Sequence, residues 1–235
     1  MTTISSNLQA VKGRIRSACS AAGRDPAGVG LLAVSKTFPA DALRVVHAAG
    51  QRCFGESYVQ ESLAKQAALA DLELEWHFIG PLQSNKTRPV AEHFAWVHSV
   101  DRLKIAERLA AQRPASLPPL NVCVQVNVSG EASKSGCAPE NAPALCQAMA
   151  TLPGLRLRGL MTIPEPGTGS NEENSALARR QFSALRTLFE DIQHSGLALD
   201  TLSMGMSHDL EEAILEGATL VRIGTAIFGE RYYTP

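Results

Sequence analysis

The sequence lacks a net charge excess and a cysteine framework, and each absence narrows the class of protein. Lys and Arg together number 22 against 23 Asp and Glu. This balance creates no overall field of the kind that draws a protein to nucleic acid or to an anionic membrane. We therefore expect a small-molecule partner, without nucleic acid or membrane binding.

The five cysteines are odd in number and include no CxxC pair. That pattern argues against a disulfide framework and against a zinc site, so we expect no metal and reduced thiols in a cytoplasmic protein. The N-terminal segment also lacks a long apolar run. Instead, Ile4, Leu8, Val11 and Ile15 share one helical face. We predict a packed N-terminal helix rather than a signal peptide.

What is present suits one globular domain over residues 1–235. Hydrophobic residues make up 45% of the chain and charged residues 19%, which is enough apolar material for a full core. A β/α barrel typically takes about 250 residues in one piece. A second catalytic domain is not expected.

Short apolar segments alternate with amphipathic, helix-like ones along the chain. Eight predicted strands lie within 29–36, 51–56, 75–80, 96–100, 121–128, 155–163, 201–207 and 220–229. Helical patterns such as 39–50 and 175–196 end at Gly50 and Gly196, where a C-terminal cap belongs. Strict alternation predicts a parallel sheet covered by helices, and no GxGxxG follows the first strand. The fold class is therefore α/β, a single (β/α)8 TIM-type barrel with an extra N-terminal helix.

A segment without periodicity, 164–174, follows the sixth strand on the face where barrel enzymes keep their chemistry. It is rich in Pro, Gly and Asn. We weigh a lid against a solvated surface loop and favour the loop.

Lys36 comes at the carboxyl end of the first strand, which places it at the barrel mouth. A lysine amine becomes a nucleophile near neutral pH when burial or nearby cations lower its pKa. The alternative is a lysine that anchors a substrate phosphate by charge alone.

The last two strands end at candidate phosphate ligands. Ser207 lies between the seventh strand and an acidic helix start, while Gly224 and Thr225 follow the eighth. Barrels often bind phosphate in these loops, where free N–H groups favour an anion. An ordinary helix N-cap remains the alternative for Ser207.

Arg222 lies within the eighth strand and, by the period of two, shares an orientation with Gly224 and Ala226. A guanidinium inside a barrel needs a partner, because burying it alone would cost several kcal/mol. Glu56 is the structural candidate and a pyridine nitrogen is the functional one. Since arginine does not give up its proton, it would leave such a nitrogen unprotonated.

Six segments carry a family resemblance over nearly the entire chain. They are AVSKTFP (33–39), FGESYVQE (54–61), WHFIGPLQSNK (76–86), RGLMTI (158–163), LSMGMSHD (202–209) and VRIGTAIFG (221–229). In this order they resemble the pyridoxal phosphate homeostasis protein family, barrels related to the N-terminal domain of alanine racemase.

The resemblance implies a fold-type-III protein that holds pyridoxal 5'-phosphate (PLP) as an imine on Lys36. It implies that Arg222 faces the pyridine nitrogen and that Ser207, Gly224 and Thr225 take the phosphate.

Further family positions are less specific. Cofactor-flanking positions are His77, Phe78, Met204 and Met206, for which core packing is the competing interpretation. Ser57 stands where the family usually has asparagine, which puts a direct asparagine contact in doubt. Lys86 and Lys134 match family positions, and a solvated side chain is the competing interpretation for both.

The function implied by the resemblance is intracellular PLP (vitamin B6) homeostasis with little or no catalysis. Its partners would be PLP and the apo forms of PLP enzymes. The alternative is an amino-acid racemase, but racemases of this type take a second-base tyrosine from a separate domain. The tyrosines here are Tyr58, Tyr232 and Tyr233. An aldolase-like barrel ranks last, because the sixth strand contains no lysine.

Overall fold

The eight predicted strands form a closed parallel barrel in chain order. The computed structural model describes residues 3–131, 135–165 and 167–230. Each strand pairs with the next, and β8 closes on β1. The strands are β1 Gly30–Val34, β2 Cys53–Glu56, β3 Glu75–Phe78, β4 Trp96–Val100, β5 Leu120–Gln125, β6 Leu155–Met161, β7 Thr201–Ser203 and β8 Leu220–Ile223.

Nine α-helices occur within the described residues, and all but the first follow the eight strands around the barrel. They are α1 Ile4–Ala21, α2 Ala40–Ala48, α3 Val59–Ala68, α4 Thr87–His93, α5 Leu103–Gln112, α6 Ala142–Ala150, α7 Asn171–His194, α8 Leu210–Leu215 and α9 Thr225–Phe228. The predicted glycine stops are confirmed, since Gly50 has a φ of 90° and Gly196 a φ of 99°.

Helix α1 is the predicted extra helix, and it lies against the last part of the barrel. Its apolar face buries Leu8, Val11 and Ile15. Its polar face holds the α8 region, because Arg14 Nε donates to Glu211 at 2.7 Å and Arg14 Nη1 donates to the Ser207 carbonyl at 3.1 Å. The helix therefore supports the wall of the carboxyl-end mouth.

Several strands are shorter than the predicted segments, and two of the boundary differences bear on the predicted site and loop. The eighth strand ends at Ile223 and residues Thr225–Phe228 form α9, so Ala226 does not continue the strand face of Arg222. Helix α7 begins at Asn171, inside the segment predicted as a loop. The Ser170 hydroxyl accepts from Glu173 N and the Glu173 carboxylate accepts from Ser170 N. This capping box supplies a helix start that polarity alone does not reveal.

All five cysteines are free. Among the described helices, none combines the length and apolar character needed to cross a bilayer.

Candidate functional site

A cavity of about 190 Å³ opens at the carboxyl ends of the strands. It brings together side chains from the loops after β1, β2, β3, β6, β7 and β8. The lining residues are Val34, Lys36, Ser57, Ile79, Ile163, Met206, Ser207, His208, Arg222, Gly224 and Thr225. Seven of the predicted site residues therefore lie around one cavity, although they span 190 positions of sequence.

Lys36 stands half-buried at this mouth, directly after β1. Its neighbours are held firmly. Ser35 N donates to the Gly55 carbonyl at 3.0 Å and extends the pairing with β2. Thr37 has a φ of 71°, a left-handed conformation that non-glycine residues adopt at some energetic cost. The backbone on both sides thus fixes the base of the Lys36 side chain.

A buried ion cluster, formed by Lys65, Glu56 and Glu61, holds that backbone in place. Lys65 Nζ donates to Glu56 Oε1 at 2.7 Å and to the Ser35 carbonyl at 2.7 Å. Glu61 Oε1 accepts from Lys65 Nζ at 2.5 Å and from Thr37 N at 2.6 Å. Burial raises the pKa of Glu56, and the Lys65 charge opposes that rise. The cluster is therefore hydrogen-bonded to the backbone of both residues that flank Lys36, Ser35 and Thr37.

Ser207, Gly224 and Thr225 are the predicted phosphate ligands, and all three line the same cavity. The Ser207 hydroxyl accepts from Ala226 N at 3.3 Å, which ties the loop after β7 to the start of α9. Helix α8 begins at Leu210 with Asp209 at its N-cap. The N-cap alternative for Ser207 is therefore wrong.

Arg222 is 4% exposed and lies at the floor of the cavity. Its Nη1 donates to the Ser203 carbonyl at 2.6 Å and to Ser203 Oγ at 3.0 Å, and its Nη2 donates to the Thr162 carbonyl at 2.8 Å. Glu56 is not its partner: Arg222 donates to Ser203 and Thr162, while Glu56 Oε1 accepts from Lys65 and Ser35. Burial lowers the pKa of Arg222 to about 10, while the Asp209 charge opposes the change. The guanidinium remains a cation at neutral pH.

Ser57 lies in the cavity wall, where a close backbone contact places it. A Cβ on Gly80 would lie 2.3 Å from the Ser57 carbonyl oxygen. Only glycine therefore lets the segment after β3 approach the segment after β2 so closely. This contact explains the glycine of the FIGPLQSNK run.

Three of the four predicted cofactor-flanking residues do not line this cavity, and one of them, Phe78, is buried in the hydrophobic core. His77 is 2% exposed and faces a second cavity, at the amino ends of the strands. Met204 is fully buried in the hydrophobic core, whereas Met206 lines the candidate cavity. Lys86 is half-buried in a 3-10 turn away from it, and Lys134 lies outside the described residues.

The second cavity, of about 330 Å³, contains a thiol, a carboxylate and an imidazole close together. Ligand atoms of Cys53, Glu75 and His77 lie within 4.8 Å of one another. His77 Nε2 is hydrogen-bonded to Glu75 Oε1 at 2.8 Å, so the imidazole and the carboxylate pair with each other. Burial, with a contribution from Glu75, raises the pKa of Cys53 to about 12.

Several residues that support the site were absent from the sequence-based list. Lys65 is one, although its spacing of four from Glu61 is typical of a helical ion pair. His98 and Ser203 are two more, and both are fully buried polar residues within predicted strands. A polar residue in a strand expected to be apolar is the signal that points to them.

Comparison with known proteins gives a family match over most of the chain. The family model described as the alanine racemase N-terminal domain matches residues 6–232. A pyridoxal phosphate homeostasis protein from Pseudomonas aeruginosa is 68% identical and covers 99% of this chain and 98% of its own. The Escherichia coli K12 protein of the same name is 52% identical, with 100% and 99% covered.

Solved structures of known proteins also match this chain over most of its length. PipY of Synechococcus elongatus, solved with PLP bound, is 41% identical with a TM-score of 0.82, and the match covers 97% of this chain and 100% of PipY. Alanine racemase from Corynebacterium glutamicum is 19% identical with a TM-score of 0.68, over 95% of this chain and 62% of the racemase. The racemase likeness concerns the fold alone.

Proposed function

Since this chain belongs to the pyridoxal phosphate homeostasis proteins, within the alanine racemase N-terminal domain family, we propose that it binds PLP reversibly and serves intracellular PLP homeostasis. The observation that carries the proposal is the convergence of Lys36, Arg222 and Ser207 on one cavity. Its relative PipY has PLP bound.

The cavity residues fit the chemistry of PLP. Hydroxyl groups of Ser207 and Thr225, with the backbone at Gly224, suit a phosphate because they offer donors in the loops after β7 and β8. The Arg222 cation suits a ring nitrogen that accepts a hydrogen bond. Lys36 provides an amine at the same mouth, directly after β1, the strand that pairs with β8. The bound cofactor would supply an aldehyde, to which an amine adds reversibly.

Each residue has a defined role in this proposal. Lys36 holds the cofactor as an imine, and Arg222 keeps the ring nitrogen unprotonated. Ser207, Gly224 and Thr225 bind the phosphate, while Ser57 lines the mouth with a shorter side chain than asparagine. We assign no direct contact to His77 or Met204, because both lie away from the cavity.

Weak catalysis follows from the same residues. A ring nitrogen beside Arg222 gains no proton, so the ring is a weaker electron sink than one paired with an aspartate. Racemisation also needs a second base, which typically contributes 10²–10⁴-fold. Tyr58 is 53% exposed and does not line the cavity, and Tyr232 and Tyr233 lie outside the described residues. The proposed role is therefore that of a cofactor carrier.

Borohydride reduction tests the imine. The native protein loaded with PLP should give a phosphopyridoxyl group on Lys36, identified by peptide mapping. Lys36→Ala should lose that modification, while Lys86→Ala, the matched control, should keep it. Modification solely at Lys86 or Lys134 would contradict the assignment.

Handover and racemisation separate the carrier from the alternative enzyme. Loaded protein mixed with an apo PLP enzyme should restore that enzyme's activity, whereas borohydride-reduced protein should not. Incubation with L-alanine and other amino acids should leave their optical activity unchanged. Rapid loss of optical activity would favour the racemase. If handover fails while the imine forms, storage is the remaining carrier-like role.

A further inference from the structure

Five polar side chains form a continuous hydrogen-bonded line through the barrel, and we call them the axial chain: Glu75, His77, His98, Ser203 and Arg222. Glu75 Oε1 and His77 Nε2 are 2.8 Å apart, and His77 Nδ1 and His98 Nε2 are 2.9 Å apart. His98 Nδ1 and Ser203 Oγ are 2.8 Å apart, and Arg222 Nη1 reaches Ser203 Oγ at 3.0 Å.

The axial chain connects the two mouths of the barrel. His98 belongs to β4 and Ser203 to β7, which are not neighbours in the sheet, so their hydrogen bond crosses the interior. Both side chains are fully buried. At one end Glu75 faces the amino-end cavity, and at the other Arg222 faces the candidate PLP cavity.

The donors in the axial chain can run in only one direction. The His77 hydrogen bond lowers the pKa of Glu75, so the carboxylate is ionised and can only accept. His77 Nε2 therefore carries a proton. Burial lowers the pKa of His77, so the ring is neutral and its Nδ1 accepts from His98 Nε2.

The same reasoning continues to the other end. Burial lowers the pKa of His98 well below its usual value, so this ring is also neutral and its Nδ1 accepts from the Ser203 hydroxyl. The Ser203 hydroxyl therefore donates its proton to His98 Nδ1, and its oxygen accepts from Arg222 Nη1. Every donor points from Arg222 toward Glu75.

An apolar barrel interior would avoid the desolvation of these buried polar groups. Barrel interiors are usually filled by layers of branched apolar side chains. Buried polar groups need every partner to offset their desolvation. Here the chain satisfies each member in turn, and its last link orients a cation that the proposed cofactor would meet.

We propose that Ser203, His98 and His77 are positioning residues that hold Arg222 in place for the cofactor ring, with Glu75 as the terminal acceptor at the opposite mouth. This inference deepens the proposed function and rests on it. It adds that the ring environment is set partly by a carboxylate outside the cofactor cavity.

The proton positions can be tested without any cofactor. Nitrogen-15 NMR of histidine-labelled apo protein should show His77 and His98 as neutral rings with the proton on Nε2. A proton on Nδ1 of His98 would reverse the direction of the chain and overturn the inference. This measurement needs no variant, so it is independent of any folding defect.

The effect on the cofactor site can be tested in the loaded protein. Ser203→Ala should shift the imine absorption and weaken PLP retention by roughly tenfold, the size of one hydrogen bond to a charged group. Glu75→Leu should change the His98 nitrogen shifts and the imine absorption, and Glu75→Gln should restore both because its amide oxygen still accepts. Glu73→Leu, an exposed glutamate two residues earlier, is the matched control.

The outcomes separate this inference from the proposed function. A native protein that forms no imine would contradict the proposed function. A native imine whose spectrum is unchanged in both Ser203→Ala and Glu75→Leu would overturn the positioning role alone.

Discussion

Single residues of the cavity differ sharply in how they are held. Arg222 uses two of its nitrogens on barrel acceptors, so its position is fixed before any ligand arrives. Thr225 is exposed at the mouth, while Ser207 is half-buried and tied to Ala226. A pre-oriented cation and accessible hydroxyls together favour binding without a large ordering cost.

For Arg222→Ala we expect weaker PLP retention and an altered imine spectrum. A hydrogen bond to a charged group contributes about 1.5–3 kcal/mol, or roughly 10- to 100-fold in affinity. Equilibrium dialysis and absorption spectra of the loaded protein measure both effects. Arg158→Ala is the control, because Arg158 pairs with Asp200 at the other mouth. An unchanged affinity in a folded Arg222 variant would mean that this arginine serves only the barrel interior.

For Ser207→Ala and Thr225→Val we expect a greater loss of affinity for PLP than for unphosphorylated pyridoxal. Each change removes one hydroxyl at the proposed phosphate position. Titration of both ligands against each variant isolates the phosphate contribution, because the ring and aldehyde are common to both. Equal losses would show that the two hydroxyls maintain the loops instead.

Among the elements, β1, β2 and α3 act as one unit around Lys36. The Ser35 hydroxyl donates to Glu56 Oε1 at 2.6 Å, and Lys65 from α3 completes the cluster. Lys65 is 6% exposed and Glu56 is fully buried, so neither charge has bulk water as a substitute partner.

For Lys65→Met we expect a loss of about 3–5 kcal/mol in the free energy of unfolding, the usual cost of breaking a buried ion pair. Urea denaturation of the apo protein measures it, and slower imine formation at Lys36 should accompany it. Adding Glu56→Gln should recover part of the stability by removing the unpaired charge. Arg44→Met, which breaks the exposed pair with Asp71, should change stability little. If Lys65→Met and Arg44→Met lowered the free energy of unfolding equally, this account would be contradicted.

For the molecule as a whole, the buried histidines make stability depend on pH. Burial lowers the pKa of both His77 and His98 in the folded state. Unfolded histidine titrates near pH 6.5, so below that pH the unfolded state binds more protons. The free energy of unfolding should therefore fall as the pH drops through about 6.5 toward the lowered folded values.

The expected size is about 1.4 kcal/mol per pH unit for each histidine that stays neutral. Urea denaturation at about pH 7.5 and about pH 5.5 measures the slope. Glu56 has the opposite sign, because its raised pKa lets the folded state take up a proton first. Comparison with His98→Gln isolates one histidine, and an identical slope in that variant would contradict the assignment.

The sequence by itself determined the barrel and much of the candidate cavity. Alternating apolar and amphipathic segments encode strands and helices locally, and the glycines at 50 and 196 stop helices by backbone conformation alone. In a parallel barrel all strand ends meet at one mouth. Lys36, Arg222 and Ser207 could therefore be assigned to one site from their positions after or within strands.

Only the tertiary structure decided which polar groups are partners. Glu56 was a candidate for Arg222, yet it lies with Lys65, and His77 faces the opposite mouth. The start of helix α9 and the axial chain likewise depend on contacts between distant segments. His98 and Ser203, for example, are hydrogen-bonded although they are 105 residues apart. Sequence periodicity gives the face on which a side chain lies. The partner it meets there depends on strand stagger and barrel closure, which no local pattern contains.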